Sequence, residues 1–177
     1  ATARGAFRVN DAAVKGNGTL FAGTRVETAA APGDLALSSG RRLTLGANTT
    51  AQVFSDHLIL ERGESRIGAA RESFGIEARS LRIVADEPGA SGRVSLGSND
   101  KILVASATGR LRVSTAAGVP LAAVRAGRAL EFDTRSANES GAMRVTGRVN
   151  RQDGKLFLSD EATDLTVELR DGRVNRQ

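Results

Sequence analysis

The stretch TGRLRVSTAAGVPLAAVRAGRALEF, residues 108–132, alternates apolar and polar side chains at Leu111-Arg112-Val113 and again at Leu130-Glu131-Phe132. A period of two is that of a β-strand with one buried face. Each of these strands follows a dipeptide that marks a turn, Thr108-Gly109 or Ala126-Gly127. The stretch therefore predicts short strands joined by tight turns.

The same pattern extends along the chain, with strands and turn signals recurring roughly every 8–12 residues. Further strands are predicted at Leu43–Leu45, Leu58–Leu60, Ile76–Ala78, Leu81–Ile83 and Val94–Leu96. No window shows the 3.6-residue period of a helix over three turns. These observations predict an all-β protein, with the strand spacing expected of a sandwich, barrel or roll.

The sequence pattern predicts that the chain divides into four parts. Three strands are predicted near the carboxyl end, at 144–149, 155–159 and 165–170, the first two joined by a turn at Asp153-Gly154. Three strands are marginally stable alone, so we expect this part to pack on the rest of the chain or on another molecule. The predicted parts are an amino-terminal strand-like segment at 1–17, a β domain at 18–133, a linker at 134–142 and a small β module at 143–177.

The amino-terminal segment shows a short apolar alternation at Phe7 and Val9, followed by Val14, without an obvious hairpin partner nearby. A lone terminal strand is easily added to the sheet edge of a neighbouring molecule. Phe7, Val9 and Val14 are therefore the interface residues that we predict. Pairing of the segment within its own chain is the alternative, and the sequence leaves both open.

Composition excludes several classes of site. The chain has no cysteine, which excludes a disulfide framework, a thiolate metal site and a cysteine nucleophile. The net charge is +5, but the arginines are interleaved with 20 acids and there is no Trp or Tyr to stack bases, so we expect no nucleic-acid partner. No run approaches 18 apolar residues, and we expect no membrane insertion.

The sequence offers no catalytic constellation. His57 is the only histidine, which excludes a two-histidine metal motif. Ser55-Asp56-His57 contains the residue types of a catalytic triad, but adjacent residues of a strand point to alternate faces and do not converge as a triad requires. Acids such as Glu61 and Glu64 alternate with arginine, which favours cross-strand ion pairs over acid/base chemistry. Asn99-Asp100 lacks the regular spacing of a calcium loop. We therefore predict that the protein is not an enzyme and has no catalytic residues, no cofactor and no metal site.

Five segments in order resemble the FecR-like extracytoplasmic domain, over about residues 18–132. The segment 81–88, LRIVADEP, departs from the family pattern because it lacks the usual Gly-Thr and Phe. The resemblance implies an all-β, solenoid-like roll outside the cytoplasm. The matching segments are GTRVET at 23–28, SGRRLTL at 39–45, LILERGE at 58–64, GRLRV at 109–113 and VRAGRAL at 124–130.

The tail, residues 145–169, resembles a small OB-like module found at the ends of exported bacterial proteins, which carries no known chemistry. The start at Ala1-Thr2-Ala3 has the small residues that signal peptidase leaves behind. Both features predict export with the signal peptide removed, to the cell surface or the extracellular space, with the periplasm as the alternative.

Three functions are compatible with these observations. The first is a structural protein that assembles with other copies of itself into an extracellular polymer or filament, through β-strand addition between subunits. The alternative is a FecR-like envelope protein that binds another envelope protein in signalling or scaffolding. A carbohydrate-binding module is the weaker alternative, because such modules usually present Trp or Tyr platforms to sugars.

Overall fold

A computed structural model describes residues 1–37, 40–69, 74–85, 87–97, 100–134, 148–152, 155–160 and 165–169. These residues form strands and connecting turns and contain no helix, which confirms the predicted all-β fold. The strands are β1 (Thr2–Val9), β2 (Ala12–Thr19), β3 (Thr24–Thr28), β4 (Gly33–Ala36), β5 (Arg42–Leu45), β6 (Thr50–Val53), β7 (His57–Arg62), β8 (Glu64–Ile67), β9 (Phe74–Ala78), β10 (Leu81–Ala85), β11 (Ser91–Leu96), β12 (Lys101–Thr108), β13 (Arg110–Thr115), β14 (Pro120–Arg125), β15 (Ala129–Asp133), β16 (Arg148–Gln152), β17 (Lys155–Asp160) and β18 (Leu165–Leu169).

The first fifteen strands form one large sheet in the order β14-β13-β10-β9-β7-β6-β3-β1-β4-β5-β8-β11-β12-β15, with β2 paired to β1 outside this path. Strands from β14 to β3 make one half of the sheet, and strands from β4 to β15 make the other. The chain passes repeatedly between the halves, so each half is assembled from distant parts of the sequence. Pairing is antiparallel except between β7 and β9, which run parallel.

The core is built by the inward face of each strand. In β10, Leu81, Ile83 and Ala85 are buried while Arg82 is exposed, as the period of two requires. Most other buried side chains are Leu, Ile, Val or Ala, and Phe7 and Phe74 are the buried aromatic residues among those described. Burial of these apolar faces is the main favourable contribution to folding.

The amino-terminal segment pairs within its own chain, so the expectation that it has no nearby hairpin partner was wrong. β1 pairs along its whole length with β2. The sequence pattern missed β2 because Gly16 and Gly18 interrupt its alternation and most of its residues are exposed. The predicted boundary between residues 17 and 18 falls inside this strand.

The carboxyl-terminal strands form a separate antiparallel sheet in the order β16-β17-β18. The described part of the first strand is Arg148–Gln152, further along the chain than the predicted 144–149. Residues 135–147, which include nearly all of the predicted linker, and the turn at 153–154 lie outside the described residues. The likeness of this module to an OB-like unit stays a prediction.

Candidate protein-interaction interface

A tight turn at Asn10 and Asp11 joins β1 to β2. Their φ angles are 45° and 68°, the left-handed pair that a two-residue type I′ hairpin requires and that Asn and Asp tolerate. The Asn10 side-chain oxygen accepts a hydrogen bond from the Arg25 N–H at 3.1 Å, and the Asn10 N–H donates to the Arg25 carbonyl at 3.0 Å. These bonds attach the turn to β3.

Strand β1 lies where the two halves of the large sheet meet. One of its edges is covered by β2. Its other edge is shared, because residues Phe7–Val9 pair with β3 and residues Thr2–Arg4 pair with β4. β1 therefore joins the two halves through backbone hydrogen bonds.

Phe7 anchors β1 in the core of its own chain. Its side chain is 4% exposed. The ring lies over Gly33 so closely that a Cβ atom built there would be 2.2 Å from Phe7 Cε1. Val9 is half-buried and packs against the same core. Two of the three predicted interface residues, Phe7 and Val9, thus pack within their own chain, and the third, Val14, lies on the outer strand β2.

Strand β2 presents a backbone edge that no other described strand covers. The Leu20 N–H donates to the Ala1 carbonyl at 2.7 Å, and the Ala1 nitrogen donates to the Leu20 carbonyl at 3.0 Å. Hydrogen-bonded and non-bonded pairs alternate along an antiparallel ladder. Because Ala1 and Leu20 form a bonded pair, the register shows that the even-numbered residues of β2 bond to β1. The odd-numbered residues Ala13, Lys15, Asn17 and Thr19 direct their backbone N–H and C=O groups away from β1, and we call this set the β2 edge.

The side chains of β2 add little to the core. Val14, opposite Phe7, is half-buried, whereas Ala12, Ala13, Asn17 and Thr19 are exposed. No other described strand pairs with β2. A long, exposed strand with an uncovered edge is a template for strand addition by another chain.

Asp56, in the turn before β7, contacts His57, the first residue of that strand. His57 Nδ1 and Asp56 Oδ1 are 2.9 Å apart, and the His57 ring stacks on Phe54 with 4.4 Å between ring centroids. The hydrogen bond with His57 lowers the pKa of Asp56 below its ordinary value of 3.8. Ser55, the third residue of the motif, lines an open cleft of about 240 Å³ together with the exposed Phe21.

Glu61 and Glu64 both pair with arginine across strands, as predicted. Glu61 of β7 lies 3.2 Å from Arg25 Nε of β3, and Glu64 of β8 lies 3.7 Å from Arg93 Nη1 of β11 and 2.9 Å from Arg66 Nε of its own strand. Exposed pairs of this kind contribute up to about 1 kcal/mol each. Among the described residues no group of three or more His, Cys, Asp or Glu could hold a metal ion. Asn99, which with Asp100 was considered above for calcium binding, lies outside the described part of the chain.

None of the described residues forms a helix long and apolar enough to cross a lipid bilayer. No protein-family model matches the chain, and no curated protein matches it.

Solved structures similar to this chain include two crystal structures, at 1.65 Å and 2.50 Å resolution, of a candidate anti-sigma factor from Parabacteroides distasonis ATCC 8503. The first has a TM-score of 0.53 and 16% sequence identity, and the second has 0.51 and 17%. Each match covers 68% of this chain and 57% of the other, so the chain spans little more than half the length of that protein. At this identity the similarity shows a shared fold, and the FecR-like resemblance stays a prediction.

Proposed function

We propose that this chain is a non-enzymatic, exported structural protein whose copies assemble into a polymer through the β2 edge. The observation that carries the proposal is the geometry of β2. This strand of eight residues has one edge bonded to β1, while its other edge has no partner among the described residues. A strand added there would form backbone hydrogen bonds at Ala13, Lys15, Asn17 and Thr19 without any rearrangement of the core.

Strand addition at β2 costs less free energy than donation of β1 to a neighbouring copy. Removal of β1 would expose Phe7 and Ala3, which are 4% and 1% exposed in the roll. It would also break the pairing of β1 with β3 and β4. Exposure of a buried phenylalanine alone costs about 1.5–3 kcal/mol. The assembly we propose therefore keeps the hairpin in its own chain and uses its outer strand.

A proline at residue 13 tests the proposal. Ala13→Pro removes an N–H that points away from β1, so the hairpin keeps its internal bonds while the β2 edge loses a donor. Ala13→Thr, which keeps the N–H and suits a strand, is the matched control. In sedimentation velocity runs over a concentration series, the wild type and Ala13→Thr are expected to form large species, whereas Ala13→Pro remains at the 18.4 kDa monomer.

Far-ultraviolet circular dichroism must show the same β spectrum for all three proteins. Assembly of Ala13→Pro to the same extent as the wild type would contradict a role for the β2 edge. A wild type that remains monomeric at every concentration would contradict self-assembly.

The second candidate function is binding of another envelope protein in signalling or scaffolding. The specific observation in its favour is the structural similarity to a candidate anti-sigma factor. In that case the β2 edge would receive a strand of the partner, and the purified chain would be monomeric. The sedimentation experiment therefore separates the two candidates.

A further inference from the structure

Strand β15, at the far end of the sheet path from β14, provides a second edge that no other described strand covers. The Ser106 N–H donates to the Arg128 carbonyl at 2.9 Å, and the Thr134 N–H donates to the Asp100 carbonyl at 3.0 Å. Together with the register of β12 and β15, these bonds show that the even-numbered residues of β15 direct their backbone N–H and C=O groups towards β12. Ala129 and Glu131 therefore direct their backbone groups away from β12, towards a side where no described strand pairs.

The inward face of β15 is incompletely covered. Leu130 and Phe132 are half-buried and pack against the margin of the core. In contrast, Ile102 and Val104, their register partners on β12, have no exposed surface. A strand added beside β15 would bury more of Leu130 and Phe132, which is favourable because it removes apolar surface from water.

The outward faces of the two edges carry opposite charge. Next to β2, the exposed side chains of β1 include Arg4 and Arg8. On β15, Glu131 and Asp133 are exposed, and Glu131 remains 52% exposed while it accepts a hydrogen bond from Lys101 Nζ at 2.6 Å. Opposite charges on adjacent strands stabilise pairing, and like charges oppose it.

The remaining terminal strand is a poorer match. β14 begins with Pro120 and ends with Arg125, which lies opposite Arg110 of β13. Addition of β2 there would bring two cationic regions together. Pairing of β2 with β2 of a second copy would have the same disadvantage.

We propose that β2 of one copy pairs antiparallel with β15 of the next copy, an inference that rests on the proposed function. The odd-numbered residues of both strands direct their backbone groups towards the other copy. One register of the new pair therefore places Lys15 opposite Glu131 and Asn17 opposite Ala129. The same register places Val14 beside Phe132 on the inward face. A shift by two residues in one direction would instead bring Asp11 opposite Asp133, and a shift in the other would separate Val14 from Phe132.

This pairing is head-to-tail. Each copy has one β2 edge and one β15 edge, so a contact between them leaves one edge of each kind uncovered at the ends of the assembly. Heterologous contacts that do not close into a ring generate open filaments. Pairing of β2 with itself would stop at a dimer.

Engineered cysteines test the pairing directly, because the chain has no cysteine of its own. Opposite residues in an antiparallel bonded pair have Cα atoms about 5.5 Å apart, within disulfide range. The variants are Asn17→Cys, Ala129→Cys and the double variant, oxidised after assembly and separated on denaturing gels. Sedimentation under reducing conditions reports assembly independently.

We expect a ladder of cross-linked multimers from the double variant and dimers from a mixture of the two single variants. Either single variant alone is expected to form no cross-link. Dimers from Asn17→Cys alone would overturn the proposal in favour of pairing between two β2 strands. Assembly without cross-linking in the double variant would also overturn it, while the proposed function stands. A monomeric protein under reducing conditions would overturn both.

Discussion

Phe7→Ala lowers the free energy of unfolding by about 3–5 kcal/mol, the usual cost of truncating a buried phenylalanine. The effect is expected to be large because Phe7 is the main apolar anchor of β1, and β1 holds both halves of the sheet together. Urea unfolding followed by far-ultraviolet circular dichroism measures the change, since the chain lacks Trp and Tyr. A change below about 1 kcal/mol would show that β1 is not anchored in this way.

A double-mutant cycle with Gly33→Ala identifies the contact responsible. A Cβ at residue 33 would lie 2.2 Å from the Phe7 ring, so Gly33→Ala destabilises the wild type. The same substitution is expected to cost less in Phe7→Ala, where the ring is absent, with a coupling of about 0.5–3 kcal/mol. Additive effects would contradict the packing of the ring on Gly33.

Gly92→Ala is expected to destabilise the fold by about 3 kcal/mol, the upper end of what overpacking usually costs. Gly92 lies on β11, where the ladder with β12 contains an irregularity between Ser91 and Gly92. A Cβ there would lie 2.3 Å from the Ala105 carbonyl oxygen, which belongs to the neighbouring strand and cannot move without breaking the ladder. Urea unfolding gives the loss of stability.

Gly75→Ala is the matched control for this substitution. Gly75 also lies within a strand, but the atoms nearest to its added Cβ are 3.6 Å away, at ordinary contact distance. Its substitution is expected to be near neutral. Equal losses for Gly92→Ala and Gly75→Ala would mean that strand glycines matter through backbone freedom and not through the close approach of β11 and β12.

The alternation of apolar and polar residues predicted most strands of the roll because each has one buried face. Leu81, Ile83, Leu111 and Val113 illustrate this, since all are buried as expected. The order of strands could not be predicted, because pairing between residues far apart in sequence depends on the packing of the whole core. The parallel contact of β7 with β9 is one such pairing.

The candidate interface was predicted in part. The sequence pointed to the amino-terminal segment and to Val14, but β2 itself was missed because glycine and polar residues obscure its period. The Asn10-Asp11 turn was the available signal for the hairpin. The direction of the backbone groups along the β2 edge depends on the hydrogen-bonding phase with β1, which the side-chain pattern does not encode.

Amide hydrogen exchange on β2, in the monomer and in the assembled protein, tests the central claim most directly. The amides of Val14, Gly16 and Gly18 face β1 and are expected to be protected in both states. Those of Ala13, Asn17 and Thr19 are expected to exchange rapidly in the monomer and to become protected on assembly. Rapid exchange of these three amides in the assembled protein would show that copies do not join through the β2 edge.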